Sequence, residues 1–171
     1  MQRKTWYSIL GLDDEPLSTK LGMLSKLQLF FSAVTCPSSP YHKQILGKCF
    51  YFEQNEMKWQ EAQDNCRDKI NSASGRLFEP RSTTMNLAVW KAADKLLGTA
   101  DVDSWLGITD LKDQGTYRYH SYDEEVGGMW GPGQPSGAEY RCVGYYQRSN
   151  PGKWYDLDCS WYKMSICEEG G

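Results

Sequence analysis

The sequence predicts an α+β fold, with two helices packed on antiparallel sheets and a long loop region between strands. Three observations lead there. Apolar residues recur at helical spacing twice in the first half, the second half breaks into short aromatic-rich segments separated by Gly, Pro and Asn, and six cysteines stand far apart along the chain. With 171 residues and 40% hydrophobic content, the chain can bury one core, so one domain with an N-terminal extension is expected.

Residues 1–35 are read as that extension. Asp13, Asp14 and Glu15 spoil a targeting signal at the extreme N-terminus, but from Met23 the chain runs through Lys26 to the apolar "LQLFFSAV" and then to small residues before Cys36. That order, over about residues 23–35, fits a short signal peptide. The apolar stretch is too short for a membrane span, which needs about 20 apolar residues.

From Cys36 to Glu169 the punctuation is that of one mixed domain. "CFYFE" (Cys49 to Glu53) reads as a strand. In "KWQEAQDNC", Trp59, Ala62 and Cys66 fall on one face of a helix and offer Cys66 to the core. "GRLFEP" is a short strand stopped by Pro80; Ser82 then caps a second helix, whose Met85, Val89, Ala92 and Leu96 share a face and which ends at Gly98. "SWLGIT", "TYRYH", "YRCVGYY", "KWYDLD" and "KMSICE" read as strands of an antiparallel sheet. Asn150-Pro151-Gly152 is a turn, with Pro fixing one central φ and Gly allowing the next to be positive. Residues 121–140, rich in Gly and Pro, read as a long loop; loops of that length inside a domain are usually functional or disordered, and Trp130 favours an ordered, anchored one.

Composition excludes several classes of function. A net charge of -3 and no long Lys/Arg run argue against nucleic acid. Cys36, Cys49, Cys66, Cys142, Cys159 and Cys167 include no C-x-x-C pair, and only His42 and His120 are available beside them, so three disulfides in an oxidising compartment are expected rather than zinc. An enzyme is not expected: there is no G-x-S-x-G, no cysteine left for catalysis, and the prolines of "GPGQPSG" remove N–H groups that a phosphate cradle needs. His120 near Asp123 reads as an ordinary surface histidine.

The ordered set "CP" at Cys36, "CFYF", W-x-x-A-x-x-x-C at Trp59, "GRL" at Gly75, "WLGITD" at Trp105, "GTYRY" at Gly115, "WGPGQP" at Trp130, Cys142, "WYDLDC" at Trp154 and "ICE" at Ile166 resembles the C-type lectin-like domain. The resemblance covers about residues 36–169. It implies the long-form pairing Cys36–Cys49, Cys66–Cys167 and Cys142–Cys159, and structural roles for Trp59, Trp105, Trp130 and Trp154.

Calcium-dependent members of that family carry Glu-Pro-Asn or Gln-Pro-Asp in the long loop, a Glu two residues before the first cysteine of the inner pair, and a Trp-Asn-Asp that follows that cysteine. Here Gln134, Pro135 and Asp156 match, whereas Ser136, Tyr140 and Tyr155 replace the other ligands. At an accessory site Asp110 matches, while Gln114, Gly137 and Arg141 fall where acids usually sit. Calcium takes about 6–8 oxygens, several of them carboxylate. Weak calcium binding or none is therefore expected, with Gln134 and Asp156 as the surviving ligands, Glu139 as a substitute if the loop slips by one residue, and Asp123 to Glu125 as a solvated rim.

The expected function is that of a secreted recognition module binding carbohydrate on a glycan or glycoprotein through its long-loop face. Gln134, Ser136, Glu139, Tyr140, Tyr155 and Asp156 are the candidate ligand-binding residues, since a sugar needs hydrogen-bonding groups and an aromatic face. The alternative is a protein-binding module or a homo-oligomer subunit, with the tyrosines as a hot spot.

Overall fold

The computed structural model describes residues 36–70, 72–98 and 102–170. The expected extension 1–35 and its signal-like stretch lie outside them. Among the described residues nine strands and two helices follow in the order β1 (His42–Ile45), β2 (Lys48–Met57), α1 (Trp59–Ile70), β3 (Gly75–Leu77), α2 (Thr83–Leu96), β4 (Ser104–Thr109), β5 (Arg118–Tyr119), β6 (Glu124–Glu125), β7 (Cys142–Tyr145), β8 (Tyr155–Leu157) and β9 (Lys163–Glu169). Among the described residues no helix is long and apolar enough to cross a membrane.

All nine strands join in one branched sheet. Its path runs β1-β2-β9-β4-β5-β6; β3 adds to β9, and β7 pairs with β4 and carries β8 on its other side. Every pairing is antiparallel except β4 with β9, where Ser104 lies beside Met164 and Trp105 beside Ser165. The β1 strand was not foreseen: only its two end residues are half-buried, so its sequence carries no alternation to read. β6 is a two-residue exposed strand inside the long loop.

The two helices cover opposite faces of the sheet, and the strands bury both sides. Leu106, Ile108, Val143, Tyr145, Trp154 and Ile166 pack with Val89, Trp90 and Ala93 of α2, whereas Trp105, Cys142, Tyr155, Leu157 and Cys167 pack with Trp59, Ala62 and Cys66 of α1. Neighbours along a strand point to opposite faces. That is why Trp105 and Leu106 enter different cores and why β4, β7 and β8 are buried at every position.

Local signals account for the helix ends. The Ser82 side chain accepts from the Met85 backbone N–H at the start of α2, and Gly98 just beyond its end has φ +66°. The cysteines pair Cys36–Cys49, Cys66–Cys167 and Cys142–Cys159, as the resemblance implied, and none of the six is free.

Candidate functional site

The long loop closes over β8 through a set of bonds centred on Asp156. In the turn Asn150-Pro151-Gly152, Lys153 N–H donates to Asn150 C=O at 3.1 Å and Gly152 has φ +69°. Asn86 of α2 fixes this turn from below by donating to Gly152 C=O at 2.6 Å, while its Oδ1 accepts from Tyr145 and Trp154 at 2.7 and 3.0 Å. On the loop side, Gly131 N–H donates to Trp154 C=O and Trp154 N–H to Met129 C=O, with the Trp130 ring edge-on to Trp154 and Tyr117. Trp130 therefore anchors the loop, as expected.

Asp156 is buried, and its carboxylate is taken up by the loop itself. Ser136 N–H donates to both oxygens at 2.9 and 2.8 Å, Ser136 Oγ donates at 2.9 Å and Gly137 N–H at 3.1 Å. In return the Asp156 backbone N–H donates to Gln134 Oε1 at 3.1 Å. The loop and the strand are thus locked reciprocally, side chain to backbone in both directions. The Gln134–Pro135 peptide bond is cis. Beneath them the Tyr117 hydroxyl donates to Tyr140 C=O at 2.5 Å and lies 3.5 Å from Asp156 Oδ2. Burial, reinforced by Asp156 and Asp110, pushes the Tyr117 phenol far above its usual range, so it remains a proton donor.

A second lock stands beside the first. Asp110, buried, receives Arg141 Nε at 3.0 Å on Oδ1 and Gly115 N–H at 2.7 Å on Oδ2, and Arg141 Nη2 also donates to Asp110 C=O at 2.5 Å. Gln114 Nε2 donates to Ala138 C=O at 3.0 Å. A guanidinium and one backbone N–H occupy this carboxylate.

As arranged, these residues do not fit calcium. The oxygens of Asp156 and Gln134 already accept hydrogen bonds, Tyr155 is a phenol bonded to Gln147 Oε1 at 3.1 Å, and Arg141 places positive charge at the neighbouring carboxylate. Among the described residues no three His, Cys, Asp or Glu side chains gather as a metal set.

Next to the lock opens a pocket of about 290 Å³ lined by Pro132, Gln134, Tyr140, Tyr146, Gln147, Asn150, Tyr155, Asp156, Leu157 and Trp161. Its polar groups are amides and phenols, and Asp156 is the one charged residue in its wall. The Tyr140 and Trp161 rings are tilted to each other with centroids 6.0 Å apart, and Tyr146 and Tyr155 meet edge-on at the same distance.

The Lectin C-type domain model matches residues 55–169. The chain belongs to the C-type lectin domain family. Among relatives of this C-type lectin domain, pig (Sus scrofa) pulmonary surfactant-associated protein D is 30% identical over 161 residues, covering 90% of this chain and 39% of that protein. The low affinity immunoglobulin epsilon Fc receptor of mouse (Mus musculus) is 28% identical over 137 residues, 78% of this chain and 37% of that protein. The chain thus spans about two fifths of the length of these relatives. Human lithostathine superposes with a TM-score of 0.69 at 23% identity, over 82% of this chain and 94% of its own. The cow C-type carbohydrate-recognition domain of CD23, in the presence of GlcNAc2Man3 oligosaccharide, gives 0.62 at 25%, over 80% and 97%. A calcium-independent type II antifreeze protein also gives 0.62, at 22% identity, over 80% and 96%.

Within this C-type lectin domain, four of the six candidate residues, Gln134, Tyr140, Tyr155 and Asp156, meet in the pocket wall. Ser136 is an exposed loop residue turned onto Asp156, and Glu139 is exposed and not part of the lining. Tyr155 is only 5% exposed, and a Cβ on Gly131 would come within 2.7 Å of its ring, so the loop glycine and the tyrosine are packed against each other. Tyr146, Gln147, Asn150 and Trp161 were missed. Adjacent aromatics at Trp161 and Tyr162, in a short polar turn between two strands, were the available signal; they are 40% and 58% exposed.

Proposed function

We propose that this domain is a secreted recognition module that binds an uncharged saccharide in the pocket beside the long loop, without needing calcium and without catalysing a reaction. The observation that carries this reading is the Asp156 lock: hydrogen bonds from Ser136 and Gly137 hold the loop in place, the task an ion would otherwise perform. Beside it, Gln134, Gln147 and Asn150 supply amides, and Tyr140, Tyr146 and Trp161 supply ring faces, the combination that suits hydroxyls on one side of a sugar and C–H groups on the other. Three disulfides support an oxidising, extracellular location. The family's carbohydrate-recognition members, among them the CD23 domain named above, support the ligand class.

A second reading is favoured by one observation. Tyr146, Trp161 and Tyr162 are 39%, 40% and 58% exposed around the pocket, and such aromatics are enriched at protein-binding hot spots. A glycan array probed with the purified domain in calcium and in chelator separates the readings. Equal binding of neutral glycans in both conditions supports the saccharide site; binding lost in chelator overturns its calcium independence. An array without any signal leaves a protein ligand as the better account.

A further inference from the structure

Lys163 opens β9, opposite Met57 of β2, and is only 3% exposed, although lysine is among the side chains least often buried. Its ammonium donates to Asp103 Oδ1 at 2.5 Å. Around the rest of the ammonium stand three aromatic rings: Tyr146 at 4.9 Å from the ring centroid, Trp161 at 5.3 Å and Trp105 at 5.8 Å. Trp105 is a wholly buried core residue whose Nε1 donates to Met57 C=O at 2.8 Å, so it is fixed independently. Tyr146 and Trp161 are different. They are 39% and 40% exposed, come from separate segments of the chain and both line the pocket.

A cation held over ring faces attracts them, more strongly where water is excluded. Lys163 does not line the pocket, yet it touches the two most exposed rings that do. We propose that Lys163, pinned by Asp103, is the positioning residue of this site: its buried ammonium draws Tyr146 and Trp161 into a fixed spacing, so that the pocket is preformed for a sugar ring. This rests on the saccharide reading of the pocket. Preformed rings do not lose their rotamer freedom when the ligand arrives, and that saving goes into affinity.

The test begins without ligand. The protein is labelled with 5-fluorotryptophan, the Trp161 line is assigned with W161F, and ¹⁹F spectra are compared for wild type, K163M and K163R. K163M is expected to shift and broaden the Trp161 line while those of Trp90 and Trp154, in the other core, stay in place; K163R, which keeps the cation, restores it. Titration with N-acetylglucosamine is expected to be weakened about fivefold or more in K163M, the size of one cation–π contact, and to recover in K163R. An unchanged Trp161 line in K163M overturns the proposal. If K163M does not fold, D103N releases the ammonium without removing it, and an unmoved Trp161 line there overturns the proposal equally. If the Trp161 line responds to K163M while the wild type binds neither N-acetylglucosamine nor any glycan of the array, the positioning role stands and the saccharide reading is overturned.

Discussion

Ser136 and Asp156 are joined three times: the Ser136 N–H reaches both carboxylate oxygens, and its hydroxyl reaches one of them. Twenty residues apart in sequence, they close the long loop onto β8 with groups that belong wholly to the chain. The first prediction concerns this closure. Asp156→Asn removes the charge and half of the accepting capacity, and is expected to cost about 2 kcal/mol, the range for hydrogen bonds to a charged group. Millimolar calcium is expected to move the melting temperature by less than about 2 °C in either protein, because a ligand stabilises only in proportion to its affinity for the fold. Thermal melts with calcium and with chelator decide the matter; a rise reversed by chelator would mean that the ion displaces the lock.

Tyr155 and Trp161 are expected to behave oppositely. Tyr155→Ala empties a position that is 5% exposed and should destabilise the domain by about 3–5 kcal/mol, so its effect on binding cannot be read separately from folding. Trp161→Ala should leave the melt nearly unchanged and weaken glycan binding by about 2 kcal/mol. Paired calorimetry and binding assays on the two variants check this, and a stable Tyr155→Ala protein would show the ring to be surface furniture.

The contrast marks how far sequence carries the site. Gln134, Tyr140, Tyr155 and Asp156 were legible as neighbours because their positions in a motif place them on one loop and one strand. Their roles were not. Asp156 was read as a surviving ion ligand, since most of the bonds to it come from backbone N–H groups, which every residue but proline possesses and no residue type announces. Tyr155 was read as a ligand-binding residue from its place in the motif, but the ring packs into the core on the α1 side and all three β8 residues are buried, which motif position alone does not announce. The helices were more legible: Ser82 and Gly98 mark their own conformations, and the spacing of Trp59, Ala62 and Cys66 survives any detail of packing.

Arg141→Ala is expected to lower stability by about 2 kcal/mol by leaving Asp110 buried with Gly115 N–H as its remaining partner. The full loss for a buried pair is about 3–5 kcal/mol, and the one-third exposure of Arg141 reduces it. Denaturant titration measures the difference. Arg141→Lys should recover only part of it, because a lysine cannot bond Oδ1 and the backbone C=O with a planar fork; full recovery would reduce the arginine to a point charge.

Glu53 gives the pH prediction. Burial alone would raise its pKa, but bonds from the Asn55 N–H, Lys69 and Asn65 outweigh that and hold it below the ordinary glutamate value of 4.5. A depressed folded pKa contributes stability that is present above 4.5 and is lost as pH falls through the lower, folded value. The stability difference between wild type and Glu53→Gln should therefore be flat near neutrality and shrink below pH 4.5. A difference that grows on acidification would reverse the sign and refute the assignment.

The pairing of β2 with β9 sets Phe50 beside Glu168, so the first and last strands with core residues lie side by side, while β7 and β8 are reached only by crossing β4. β9 itself starts two residues after Trp161 of the pocket wall and ends at Glu169 beside Gly75 of β3, so one strand ties the pocket to the middle of the sheet. With the pocket braced in this way, several copies on one scaffold would multiply a weak single contact by local concentration rather than by any change in the pocket itself.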